Sequence, residues 1–220
     1  MKIHADKLYK RVETMDGSEG AYMLRPISFE IEQGEHVLVT GASGSGKTTL
    51  LSLIAGLQKP TGGELTHMVD GGASEKAPSD SRVSMMFQEN RLLNELSAVR
   101  NIQVILPKHF KKTDDKAETP GSVEALIRRH LERVLPGVSI DKPVSELSGG
   151  ERRRVALVRA ILAPGEVLLL DEPFTGLDEA ATQTVKDYIE IETVGRTVLL
   201  TDHEGTHFSE WRKMNCARWQ

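Results

Sequence analysis

The chain has 220 residues, which suits one domain or one domain with a subdomain. Hydrophobic residues make up 39% and charged residues 27%, an ordinary globular balance, and the net charge of −4 excludes a general electrostatic pull towards nucleic acid or an anionic membrane surface. No run approaches the roughly 18 apolar residues of a membrane span, the N-terminal MKIHADKLYKR lacks a signal core, and the single Cys216 allows no internal disulfide; a cytosolic protein is expected, reaching any membrane through a partner.

In chain order, ISFEI (27–31) alternates apolar and polar residues like a half-exposed antiparallel strand, and HVLVT (36–40) is a compact apolar run that ends at a glycine. KTTLLSLIAGL (47–57) has a helical pattern. MVDGGASEKAPSDS (68–81) and KKTDDKAETPGS (111–122) read as loops, with the strand RVSMMF (82–87) between them. SVEALIRRHLERVL (122–135) spaces Val123, Leu126, Ile127, Leu131, Val134 and Leu135 as a helix does. ERRRVALVRAIL (151–162) is a further helix, stopped by Pro164-Gly165. The strand EVLLLD (166–171), the helix DEAATQTVKDYIEIE (178–192) and the strand RTVLLT (196–201) follow. Continuous apolar strands are covered on both faces, as in a parallel sheet. The basic triplets Arg152–Arg154 and Arg128-Arg129-His130 lie on amphipathic helices and are expected on solvated faces, so no nucleic-acid partner is expected.

Gly41-Ala42-Ser43-Gly44-Ser45-Gly46-Lys47-Thr48, followed by Thr49, matches G-x-x-x-x-G-K-[ST] between a strand and a helix. Glycines let backbone N–H groups wrap a phosphate chain, and the helix N-terminus adds partial positive charge. Lys47 brings a full charge to the β- and γ-phosphates, and the Thr48 hydroxyl suits Mg²⁺. VLLLDEP (167–173) ends an apolar strand with two carboxylates: Asp171 would reach Mg²⁺, and Glu172 would orient or deprotonate an attacking water. There is no Asn-Lys pair, so the guanine-reading N-K-x-D of GTPases is missing.

LSGGE (147–151) then resembles the signature motif of the nucleotide-binding subunits of ABC transporters, and the family's other motifs stand in the family's order. FQE (87–89) resembles the Q-loop with Gln88, TGLD (175–178) the D-loop with Asp178, and TDHE (201–204) the switch region with His203. The resemblance implies a P-loop NTPase core with a mixed, mainly parallel sheet, an N-terminal antiparallel β subdomain and an inserted α-helical subdomain. One ABC ATPase domain would fill the chain, with residues 1–88 and 166–220 as the nucleotide-binding core and 89–165 as the helical subdomain. It also implies a head-to-tail dimer of the chain with a second copy or a homologous ATPase subunit. ATP and Mg²⁺ would then lie between one phosphate loop and the other subunit's Ser148, Gly149 and Gly150, with Gln88 at the metal and His203 at the γ-phosphate. The plain alternative for Ser148 or Gly150 is a helix cap.

The family's base-stacking aromatic falls by position near Val12, with Tyr9 and Tyr22 close by. Partners implied are permease subunits at the inner face of the membrane and an extracytoplasmic solute-binding protein. Leu92, Leu93 and Leu96 either face the permease or pack inside the helical subdomain. FQENRLL, VSELSGGERRRVAL and LLLDEPFTGLDE look most like importer subunits of the nitrate, sulfonate, taurine and thiamin-precursor group, whose cassettes are short and lack a C-terminal regulatory domain. The second resemblance is to the lipoprotein-release, macrolide-export and cell-division group.

Overall fold

A computed structural model describes residues 1–15, 19–68, 74–75, 82–106, 122–202 and 205–216, which form two compact units. Unit one comprises Met1–Met85, Gly165–Glu172 and Val194–Gln220. Strands β1 (Lys2–Glu13), β2 (Glu19–Ile31), β4 (Gly62–Met68) and β5 (Ser74–Glu75) make an antiparallel sheet in the order β2-β1-β4-β5. Ile3, Ala5 and Leu8 of β1 are all buried, although an alternating strand would turn Leu8 outwards. The ladder resolves this with an irregularity between Ala5 and Leu8, where Lys7 takes φ 46°.

The second sheet has the order β6-β7-β8-β3-β9, from β3 (His36–Thr40), β6 (Val83–Met86), β7 (Val167–Asp171), β8 (Thr197–Asp202) and β9 (Arg212–Asn215). β7 with β8, β8 with β3, and β3 with β9 run parallel. Every residue of β7 and β8 is buried, as the unbroken apolar runs require. Helix α1 (Lys47–Ile54) packs against β2, β7 and β8, and its Leu50, Leu51, Leu53 and Ile54 join one core with residues of both sheets. The Arg196 guanidinium, whose pKa burial lowers to about 10, binds the Gly165 carbonyl and the Ser84 hydroxyl and so ties the start of β7 to β6.

Unit two comprises Met86–Pro164 and Pro173–Thr193. It holds α2 (Ala98–Gln103), α3 (Val123–Val134), α4 (Gly149–Leu162) and α5 (Glu179–Glu192), with a 3-10 turn at Val144–Glu146. Ser122 caps α3 by accepting from the Ala125 N–H. Helix α5 falls here, whereas the sequence division placed it with the α/β core. The reason is packing: Tyr188 of α5 is buried, its hydroxyl lies 2.9 Å from His130 Nδ1 of α3, and Arg133 pairs with Glu192. His130 is 7% exposed, so this end of the basic triplet is in the core and not on a solvated face.

The strands read from 36–40, 82–87, 166–171 and 196–201 appear within a residue or two of those bounds, as do the helices of 122–135, 151–162 and 178–192. Of the two stretches read as loops, 69–73, 76–81 and 111–121 lie outside the described residues, and Ser74–Glu75 is a short strand. Among the described residues no helix is long and apolar enough to cross a membrane.

Candidate functional site

The phosphate-loop motif stands where β3 passes into α1. Ala42, Ser43, Gly44 and Thr48 are exposed, and Thr49 is buried in the first turn of α1. Gly46 caps α1 at φ 93°, and a Cβ there would stand 2.6 Å from the Met23 carbonyl oxygen, so only glycine lets the loop close onto β2. Lys47 is buried, and its ammonium donates to the carbonyls of Gly41 at 2.7 Å and Ala42 at 3.1 Å. A Cβ on Gly41 would lie 3.2 Å from Cβ of Cys216, just beyond the end of β9, so the loop is backed by the last described residue. Burial pushes the Cys216 thiol up to about 12, which leaves it a packing group rather than a nucleophile.

β7 lies two strands from β3, roughly 10 Å across the sheet. Its carboxyl end carries Asp171, fully buried, and Glu172, which leaves the strand at φ 51°. The hydroxyl of Thr201, level with Asp171 on β8, donates to Asp171 Oδ1 at 2.7 Å. The same hydroxyl accepts from the Glu172 backbone N–H at 2.8 Å. Phosphate loop and carboxylates thus share one edge of a parallel sheet, where α/β folds bind ligands. The donors offered, the Thr48 hydroxyl and the Asp171 carboxylate, are hard oxygens. Hard oxygens of this kind suit Mg²⁺ carried on phosphates.

Of the remaining sites expected from the sequence, Gln88, Ser148–Gly150 and Asp178 fall in unit two. Ser148 is the N-cap of α4 in a reciprocal capping box: its hydroxyl accepts from the Glu151 N–H at 3.2 Å, and Glu151 accepts from the Ser148 N–H at 2.7 Å. Those bonds hold the Glu151 carboxyl below its usual range. The cap reading of Ser148 is therefore met, and it leaves an exposed helix N-terminus: nothing lies within 4 Å of a Cβ built on Gly149. Gly150 faces inwards, with a Cβ 3.1 Å from the Gly176 carbonyl oxygen, so signature and D-loop are packed backbone to backbone. Asp178 caps α5 by accepting from the Ala181 N–H at 2.8 Å. Gln88 is exposed. His203 lies outside the described residues.

Sequence reasoning missed Arg153. It is 4% exposed, and its guanidinium binds the Phe87 carbonyl at 3.1 Å and the Gln88 carbonyl, which ties α4 to the segment carrying Gln88. Arg159 does the same for Asn90 and Arg91, at 2.9 and 2.7 Å. Leu93 is 53% exposed, while Leu92 and Leu96 are half-buried. Val12 is 46% exposed; nearby, the Arg11 guanidinium lies 4.1 Å over the Tyr22 ring, and Tyr9 meets that ring edge-on at 5.9 Å. Trp211 of the tail stacks on Phe208 with ring centroids 4.1 Å apart and belongs to the core.

The family model described as ABC transporter matches residues 24–175. The lipoprotein-releasing system ATP-binding protein LolD of Hydrogenovibrio crunogenus is 39% identical over 204 residues, covering 90% of this chain and 85% of that protein. The thiamine import ATP-binding protein ThiQ of Escherichia coli is 42% identical over 161 residues, covering 71% of this chain; the chain spans only 64% of that relative. Among solved structures, a dimeric post-hydrolysis state of the ATP-binding cassette MJ0796 bound to ADP and Pi superposes with a TM-score of 0.74 at 26% identity, covering 91% of this chain and 88% of that one. A second dimeric structure of MJ0796, a bacterial ABC transporter cassette, gives 0.73 at 27% identity, covering 97% and 94%. With the phosphate loop, the paired carboxylates and the capped signature helix in place, these likenesses have one meaning: the chain belongs to the ABC transporter family and is an ATP-binding ATPase cassette.

Proposed function

We propose that the chain is the power subunit of a membrane transporter and works as a head-to-tail dimer with a second copy or a homologous ATPase subunit. The observation that carries this reading is the exposed N-terminus of α4 at Ser148 and Gly149, a second anion-type site on a chain that already has a phosphate loop. Residues 41–49 cradle the phosphates of ATP, with Lys47 at the β- and γ-oxygens. Thr48, Asp171 and Gln88 hold Mg²⁺, which neutralises phosphate charge when bound. Glu172, helped by His203, orients the water that attacks the γ-phosphorus. That forms a P–O bond as the bond to the bridging oxygen of ADP breaks. The partner's Ser148, Gly149 and Gly150 close the site over the γ-phosphate, and Asp178 lies at the same junction. Each ATP then holds two subunits together until it is hydrolysed. Glu172→Gln is expected to keep binding ATP and to accumulate as a dimer, seen by light scattering on a sizing column. A variant that stays monomeric in saturating Mg-ATP would sink the reading.

The cassette sits at the cytoplasmic face of a membrane through permease subunits, with Leu93 offered to them. For the cargo, the first reading is import of a small solute with an extracytoplasmic binding protein, of the nitrate, sulfonate, taurine and thiamin-precursor kind; the ThiQ relatives, named for thiamine import, support the import of a small solute. A second reading, lipoprotein release or a related export or cell-division complex, is favoured by the LolD match, which extends along more of both chains. Mild-detergent pull-down separates them: a compact permease plus a binding protein means import, and a permease with a large extracytoplasmic domain means release.

A further inference from the structure

Strand β8 contributes Val198, Leu199 and Leu200 to the buried sheet, and then Thr201 with no exposed surface. Valine has the same shape as threonine, so packing alone does not call for a hydroxyl here. Its position explains it. Thr201 is level with Asp171 in the parallel ladder, donates to Asp171 Oδ1 at 2.7 Å and accepts from the Glu172 N–H at 2.8 Å. A hydroxyl has one proton and two lone pairs, so both bonds are made at once and each fixes the direction of the other. Glu172 is one of only three non-glycine residues at positive φ among the described residues, and this bond secures its backbone as it leaves the strand.

We propose that Thr201 is a positioning residue: its hydroxyl sets the carboxylate of Asp171 and the backbone of Glu172 together, and so fixes the angle between the metal-side and water-side groups. The inference rests on the proposed roles of those two residues. The test compares Thr201→Val, Thr201→Ser and Glu172→Gln in the full chain. Thr201→Val is expected to lower kcat about 10- to 100-fold, to raise the Mg²⁺ concentration needed for half-maximal rate, and to leave affinity for Mg-free ADP unchanged. Amide exchange at Glu172 should quicken with it, and Thr201→Ser should restore all of these. Unchanged kcat and Mg²⁺ dependence in Thr201→Val overturn the inference. So does a loss of Mg-free ADP affinity alongside activity, which would mean a packing role, or a failure of Thr201→Ser to rescue. If instead Glu172→Gln hydrolyses ATP at the parental rate, the site assignment itself is what fails.

Discussion

At the scale of single residues, the groups legible in the sequence are those whose spacing alone dictates chemistry. Glycines at fixed intervals before Lys47-Thr48, and two acids closing an apolar run, have meaning wherever the chain places them. Thr201 and Arg153 were not legible, because their roles depend on which backbone groups the fold brings opposite them. Arg153 shows the cost of that dependence. One guanidinium in the core binds the carbonyls of Phe87 and Gln88, so Arg153→Met removes both of these part-buried bonds. Charge-assisted bonds of this kind contribute ~1.5–3 kcal/mol, and a loss of that size in urea unfolding is the expected result. Unchanged stability would mean that the Gln88 segment is held by Arg159 alone.

At the scale of elements, the buried strands and long helices were legible because unbroken apolar runs and helical spacing survive any context. β1, β4, β5, β9 and α2 were not. β9 is four residues with only Met214 inward, held by its backbone ladder to β3, and α2 spans six residues. Packing between elements was also hidden, as at α3 and α5. There His130 faces Tyr188 and Glu192 from α5, with Arg129 and Arg133 on its own helix. Burial first, and the two arginines after it, lower its pKa, against the pull of Glu192. A histidine with a depressed folded pKa binds more protons when unfolded. Its contribution to stability is therefore complete above about 6.5, the unfolded value, and is lost as the pH falls from there through the folded pKa. Chemical denaturation across that window should show the parent losing stability on acidification more steeply than His130→Asn. Parallel curves would mean that His130 is as easily protonated in the fold as in water.

At the scale of the whole molecule, each unit carries half of what the proposed site needs. Lys47, Asp171 and Glu172 stand in unit one, and Ser148–Gly150 in unit two. Whether those halves act in one chain or across two can be decided by complementation. Lys47→Ala removes the charge at the phosphate loop and keeps the signature. Ser148→Arg blocks the signature and keeps the loop. Each variant alone should be inactive, and Ser148→Arg should still bind one nucleotide per chain. If sites form head to tail, a mixed dimer holds one site with both halves damaged and one with both intact. Equal mixing with random pairing puts half of the dimers in that state, so activity should return to roughly a quarter of the parental sites. A site built within one chain cannot recover, since every chain in the mixture carries a lesion. Steady-state ATPase of the mixture after subunit exchange, read against each variant alone, therefore separates the two arrangements: recovery requires a shared site, and none at any mixing ratio rejects the head-to-tail dimer for this cassette.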